Sequence, residues 1–364
     1  MALLLTCAAT ALVALFAFRA HPFSAKTPTP LWSIDLAADK DFQKRLNFSE
    51  VLLSPPSLNF LSNSQLICDF YSGEMNGIYD SSSLPGYYVV EINLHSREIG
   101  RKLEFTVQEN DFRTMAVADG GFLVLSHKDL QKFSGQFVPG ASYATARVHG
   151  KEYFDRRFVD VAPGGQTALL YNHRLDDQQG SWTWLRTSDL TTIKSMQGPR
   201  TGLIRASDQA GIFYGTDDRE MLLDGKTNVL CTRCDSHFLT NDLLFLAKEQ
   251  SYAIQTVSGN EQGSGTLDIQ AHNFARAAQA TRFAYSTGHY VEHVFPIQTE
   301  FDSITCKIMV VDWKTNKPVA EIDINEPAGN PSAGLAQLAL ALSPDGQYLA
   351  VLLHQKVTLY RLPE

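Results

Sequence analysis

The stretch that decides the fold is Leu338-Ala339-Leu340-Ala341-Leu342, Ser343-Pro344-Asp345-Gly346, Gln347-Tyr348-Leu349-Ala350-Val351-Leu352-Leu353. Its two apolar runs are too short for a pair of helices and have the length of strands. Between them, Pro344 presets φ for a tight turn and Gly346 accepts a positive φ. A polar break and a third short run, Val357-Thr358-Leu359-Tyr360, follow. The stretch predicts an antiparallel meander.

The same phrase recurs upstream in worn form. Phe158-Val159-Asp160-Val161-Ala162 leads through Pro163-Gly164-Gly165 to Ala168-Leu169-Leu170-Tyr171. Met115-Ala116-Val117-Ala118 leads through Asp119-Gly120-Gly121 to Phe122-Leu123-Val124-Leu125. Weaker copies bring the chain to Leu66, Ile212, Leu243 and Phe283. Hairpins with polar turns also recur, as in Ile308-Met309-Val310-Val311-Asp312 followed by Lys314-Thr315-Asn316-Lys317. Taking Leu66, Phe122, Ala168, Ile212, Leu243, Phe283 and Tyr348 as markers gives seven units. Their mean spacing of roughly 47 residues suits a four-stranded propeller blade. The last unit stops after its third strand, whereas Leu31-Trp32-Ser33-Ile34-Asp35-Leu36 stands unused near the N-terminus. The expected fold is therefore all-β, a seven-bladed β-propeller closed by an N-terminal strand in the last blade. Closure removes an open sheet edge. The competing arrangement is another all-β array, such as a pair of sandwiches.

The run Leu342-Ser343-Pro344-Asp345-Gly346-Gln347-Tyr348-Leu349-Ala350-Val351 resembles the WD40-like, YVTN and TolB-type repeats of bacterial propellers. The turn Val311-Asp312-Trp313-Lys314-Thr315-Asn316-Lys317 is similar to their third-strand exit. As architecture the resemblance covers about residues 30–364. The other six units lack the full Ser-Pro-Asp-Gly turn, so the resemblance implies a propeller and no finer membership.

Composition narrows the function classes. Hydrophobic residues make up 44% and charged residues 19%, which suits a globular chain and excludes a disordered one. The formal net charge of −8 argues against a nucleic-acid partner. Ala2 to Phe18 is almost wholly apolar. A run of about 17 residues lies at the short end for a membrane span and the long end for a signal-peptide core. Residues 1–25 are read as a signal peptide or an N-terminal anchor, with a buried helix as the third alternative, and residues 26–364 as one propeller domain. Either leading reading puts the domain outside the cytoplasm, periplasmic or secreted.

Beyond the leader, four cysteines remain: Cys68, Cys231, Cys234 and Cys306. The spacing Cys231-Thr232-Arg233-Cys234 fits half a zinc site, a thiol-redox pair or a short disulfide. Redox use would expect a βαβ pattern that this sequence lacks, and zinc would need further ligands, so a local disulfide is the reading adopted, with two unpaired, buried or half-buried thiols as the alternative. Cys68 and Cys306 fall in blades that are not adjacent and are expected to be reduced core residues.

No sequence motif marks a catalytic centre. His289-Tyr290-Val291-Glu292-His293 has the His-x-x-Glu-His spacing of a zinc peptidase, but Gly288 and Pro296 flank it. On a strand its histidines would stand about 13 Å apart, too far for one metal. Asp176-Asp177 and Asp217-Asp218 read as solvated turns rather than a calcium ligand set, and His95 and His127 near turns and His354 after a strand read as exposed positions. Trp182, Trp184 and Trp313 are expected to pack between blades. Arg113, Arg157 and Arg205 stand near the starts of first strands, which line a propeller's channel, and could form a basic ring for an acidic group. No cofactor is expected. The first function class is a monomeric, non-enzymatic binding scaffold for a protein or small molecule at one face. The second is a propeller enzyme (a lyase, a lactonase or a redox subunit) with a channel site, and the third is an anchored structural domain. Glu74 to Pro85 and Phe295 to Ser303 read as insertions between second and third strands, which would place both on one face.

Overall fold

The structure, a computed structural model, describes residues 25–39, 56–72, 86–106, 112–126, 128–145, 156–173, 179–201, 204–214, 219–223, 227–267, 271–289, 303–327, 338–353 and 355–364. These form seven four-stranded antiparallel sheets around one axis. β1 (Pro30–Asp35) comes first and runs into a 3-10 turn, Leu36–Ala38. Blade 1 is β2 (Ser57–Ser62), β3 (Gln65–Ser72), β4 (Gly86–Asn93) and β5 (Glu98–Thr106). Blade 2 is β6 (Arg113–Ala116), β7 (Phe122–Leu125), β8 (Asp129–Phe133) and β9 (Pro139–Ala144). Blade 3 is β10 (Arg156–Val161), β11 (Thr167–His173), β12 (Gly180–Arg186) and β13 (Thr192–Gly198). Blade 4 is β14 (Ile204–Ala206), β15 (Gly211–Tyr214), β16 (Arg219–Leu223) and β17 (Thr227–Thr232). Blade 5 is β18 (Asp235–Phe238), β19 (Leu243–Lys248), β20 (Ser251–Thr256) and β21 (Glu261–Thr266). Blade 6 is β22 (Ala271–Arg276), β23 (Arg282–His289), β24 (Ser303–Asp312) and β25 (Lys317–Pro327). Blade 7 is β26 (Ala339–Leu342), β27 (Tyr348–Leu353), β28 (Lys356–Arg361) and, outermost, β1.

All seven sequence markers fall on second strands. The unused N-terminal segment closes the ring as expected: Trp32 pairs with Leu359, Ile34 with Val357 and Asp35 with Lys356. The Leu36 N–H then donates to the Gln355 carbonyl at 2.9 Å. First strands line the axis, with β26 beside β2 and β22, β6 beside β2 and β10, and β14 beside β10 and β18.

The core lies in seven layers, one between each pair of neighbouring blades. Alternation along a strand explains why the inner strands read as unbroken apolar runs. In β27, Leu349, Val351 and Leu353 face blade 6, whereas Ala350 and Leu352 face blade 1. Successive side chains point to opposite faces, and here both faces are covered. Trp182 and Trp184 are fully buried between blades 3 and 4, donating to the carbonyls of Pro199 and Ser207. Cys68 and Cys306 are free thiols buried in their strands, and burial pushes the Cys68 thiol up.

First-strand hairpins stitch the ring at one end of the axis. In the Ser343–Gly346 turn, the Ser343 hydroxyl donates to the Asp345 carboxylate at 2.6 Å and accepts from the Tyr348 N–H at 2.9 Å. The Asp345 N–H reaches Asn63 of blade 1 at 3.2 Å, and the Pro344 carbonyl accepts from the Gln279 N–H of blade 6 at 2.8 Å. One turn thus holds both neighbouring blades. Gly346 has φ of 69°, and a Cβ there would stand 2.9 Å from the Ala280 side chain.

Candidate functional site

Arg276 lies between two recesses of the axial channel, at a boundary to which Asn59, Met115, Asp160 and Phe274 also belong. Arg276, near the end of β22, donates to the Phe238 carbonyl of blade 5 at 3.3 Å and to the Val161 carbonyl of blade 3 at 2.9 Å. Blades 3 and 6 lie on opposite sides of a seven-membered ring, so this guanidinium spans the axis. On one side is a recess of 620 Å3, lined mainly by first-strand hairpins such as Asn63, Ala118, Gly165 and Pro344. On the other is a recess of 440 Å3 at the end where the first strands begin.

The second recess gathers the charge. Arg113 of blade 2, Asp160 of blade 3, Arg205 of blade 4, Asp235 and His237 of blade 5 and Arg276 of blade 6 all line it. Most are committed to the frame. Asp160 accepts from the Ala206 N–H of the next blade at 2.7 Å. Arg205 Nε donates to His237 Nδ1 at 3.2 Å, which leaves His237 Nε2 to donate to Asp235 at 3.1 Å. An Nδ1 that accepts belongs to a neutral ring. Burial holds the His237 pKa below the usual range, with Arg205 adding to that and Asp235 opposing it. The ring also stacks on Phe274 at 4.1 Å. Asp69 in the wall accepts from the N–H groups of Ser57 and Thr114 and from the Tyr87 hydroxyl. Burial raises its pKa against those hydrogen bonds.

Arg113 differs from its neighbours in the recess. Its guanidinium lies 5.7 Å from the Phe158 ring, and among the described residues it pairs with no carboxylate. Three guanidinium groups, of Arg113, Arg205 and Arg276, thus share the recess with the carboxyl groups of Asp69, Asp160 and Asp235.

Of the three arginines expected at the channel, Arg113 and Arg205 line this recess, whereas Arg157 does not. Arg157 is buried against blade 2, donating to the Ser126 carbonyl at 3.4 Å and the Thr145 hydroxyl at 3.2 Å. The cause is strand parity. In β10, Val159 and Val161 face blade 2 and Arg157 shares their side, while Asp160 faces blade 4. Arg276, Asp160, Asp235 and His237 are site residues that motif reading missed. Their signal was a charged or polar residue inside an otherwise apolar first strand.

Cys231 and Cys234 are joined as a disulfide, with Cα atoms 6.1 Å apart, at the crossing from blade 4 to blade 5. His289 closes β23, and Tyr290 to His293 lie outside the described residues, as do His127, His354 and both Asp pairs. His95 sits exposed in a turn, its N–H donating to Asn93. The second-to-third connections 73–85 and 290–302 also lie outside them. Their flanking strand ends belong to the end of the axis that bears the charged recess.

No protein-family model matches the chain, and no curated protein matches it in sequence. Solved structures do. The Pan2 WD40 domain of Neurospora crassa superposes with a TM-score of 0.56 at 11% identity, covering 94% of this chain and 98% of that one. BBS1N, solved in complex with ARL6DN, gives 0.51 at 8% identity, covering 93% and 98%. At such identities the likeness is one of fold. By fold, the chain is a WD40-like seven-bladed β-propeller.

Proposed function

We propose that this propeller is a non-enzymatic binding scaffold that takes an acidic group of a protein partner into the 440 Å3 recess. The observation that carries the reading is the state of the charges there: His237, Arg205, Asp160 and Arg276 are held by frame hydrogen bonds, whereas Arg113 lines the recess against the Phe158 ring with no carboxylate partner among the described residues. A fixed guanidinium in a walled recess suits a planar carboxylate. The convergence of Asp160, Asp235 and His237 from neighbouring blades favours a second reading, an axial enzyme. Both ring nitrogens of His237 are engaged, however, which weighs against its use as a base. The fold likeness to BBS1N, solved with ARL6DN, is in keeping with a protein partner.

The apolar run from Ala2 to Phe18 supports export as part of the proposal, with the leader cleaved or retained as an anchor. The Ser343–Gly346 turn supports a place among bacterial YVTN or TolB-type repeats. Cell fractionation tests export, and recovery in the cytoplasm rejects it. Fluorescence anisotropy with a labelled hexaglutamate peptide, against hexalysine, tests binding. Hexaglutamate binding that weakens as salt rises is expected. No preference between the peptides would reject the acidic-group reading.

A further inference from the structure

The blade 4 to blade 5 crossing buries a group that the frame does not satisfy. Glu220 on β16 is 1% exposed and sits across the ladder from Cys231 on β17. Its Oε2 accepts from the Ser236 hydroxyl and stands 3.8 Å from Cys234 Sγ, while its Oε1 has no hydrogen-bond partner among the described residues. Burial, followed by the nearby Asp235 charge, pushes the Glu220 carboxyl up to about 9. A carboxyl oxygen buried without a donor costs about 1–3 kcal/mol. A hydrophobic residue would pack this position without that cost, so the orphaned oxygen calls for a ligand.

The sulfurs supply the rest of a site. One ligand atom each from Glu220, Cys231 and Cys234 lies within 4.8 Å of the others. Zinc holds thiolate sulfur at about 2.3 Å and carboxylate oxygen at about 2.0–2.2 Å in a tetrahedron, which puts sulfur and oxygen roughly 3.5 Å apart. The 3.8 Å from Cys234 Sγ to Glu220 Oε2, the oxygen that also accepts from Ser236, is close to that separation, and the second oxygen of the same carboxyl is the one without a donor. A Cys-x-x-Cys turn is also a common way to present two thiolates to one ion. Glu220 and Cys231 face each other on β16 and β17 and Cys234 follows in the crossing to β18, so the chain brings the three donors together, and reduction lets the two sulfurs separate to the roughly 3.8 Å that a tetrahedral ion needs.

We propose that, once the Cys231–Cys234 disulfide is reduced, Cys231, Cys234 and Glu220 form a binding site for a zinc-like divalent cation, with a fourth position for water. A dithiol reductant delivers the two electrons: its two thiol protons pass to the two cysteine sulfurs as the S–S bond breaks, and it leaves as its own cyclic disulfide. The cation then displaces one proton from each thiol and one from the Glu220 carboxyl. In the disulfide state the sulfurs are not thiolates and the site is closed, so cation affinity reports the redox state of the crossing.

The full chain is reduced with a trialkylphosphine, which takes up oxygen from water as its oxide and does not compete as a thiol ligand, and is then freed of reductant without air. Zinc is titrated against a chromophoric chelator, and cobalt is used as a spectroscopic substitute. The expected result is one zinc per chain in the reduced protein and none in the oxidised protein, with a thiolate-to-cobalt charge-transfer band. Cys231→Ser with Cys234→Ser abolishes that equivalent and the band. Glu220→Gln keeps the size and polarity of the neutral side chain, so it folds, and it weakens zinc at least ~10-fold. A reduced wild type that takes up no more zinc than the double serine variant overturns the proposal. Undiminished affinity in Glu220→Gln removes Glu220 from the site and overturns it as stated.

Discussion

Replacing Arg276 by Met tests whether one guanidinium spans and holds the channel. Met keeps much of the length and apolar volume of the arginine stem but donates no hydrogen bond. Two bonds are lost, to Val161 at 2.9 Å and Phe238 at 3.3 Å, joining blade 6 to blades 3 and 5. A hydrogen bond from a charged donor contributes about 1.5–3 kcal/mol. Asp160, whose charge favours the charged form of Arg276, would be left with less compensation. These contributions overlap, and the freed carbonyls can take water from the recesses on either side. A net destabilisation of about 3 kcal/mol is therefore expected. Urea unfolding followed by the fluorescence of the buried Trp182 and Trp184 reads it as a lower midpoint at unchanged slope. Arg276→Lys, with one compact ammonium in place of the fork, should fall between the two. A midpoint for Arg276→Met within about 0.5 kcal/mol of wild type would refute the idea that the guanidinium ties the ring across its axis.

Three other outcomes follow from the same structure. Gly346→Ala forces a left-handed backbone on a residue with a Cβ facing Ala280, and should lower stability by about 1–2 kcal/mol in the same unfolding assay. Deleting residues 25–39 removes β1 and uncovers the β28 edge; size-exclusion chromatography should show dimers or aggregates, and a monodisperse monomer would count against ring closure. In the disulfide-bonded protein with chelator present, Glu220 keeps its proton in the fold up to about pH 9, while the unfolded glutamate ionises near ~4.3. Between those values the native state binds the extra proton, so stability falls with rising pH by up to ~1.4 kcal/mol per unit from this group. Burial and then Asp235 extend that window upward, and Arg205 and Ser236 shorten it, so the advantage of Glu220→Gln over wild type should widen from about pH 5 to about pH 8 in paired urea titrations.

The fold was legible because a propeller repeats its grammar. The Ser343–Gly346 turn carries enough local chemistry to define one hairpin, and its worn copies place a second strand in every blade even where Pro and Gly are replaced. The spare segment at Leu31–Leu36 was legible for a topological reason, since a blade lacking one strand needs a donor. The site was less so. Arg113 and Arg205 were placed at the channel from their position near strand starts, and that same argument failed for Arg157. Facing in a strand changes with each residue, and a shift of one sends the side chain into a blade interface. Arg276 joins blade 6 to blade 3 across 115 residues, a contact that no local pattern encodes. Glu220 beside Cys234 was hidden likewise, because its neighbours arise from ladder pairing and the blade crossing rather than from spacing.

Binding of an acidic group in the recess depends on Arg113 more than on any other side chain, because Arg205 and Arg276 are held by the frame. Equilibrium anisotropy titration of labelled hexaglutamate against wild type and Arg113→Glu tests it most directly. The Arg113 side chain makes no hydrogen bond among the described residues, so the variant should fold, with stability lowered by about 0.5–1 kcal/mol for the lost contact with the Phe158 ring. The account predicts a loss of affinity of at least ~10-fold at low salt, since a carboxylate now meets a like charge where it met a guanidinium. Equal affinity in the two proteins would contradict the assignment of the recess as the acidic-group site.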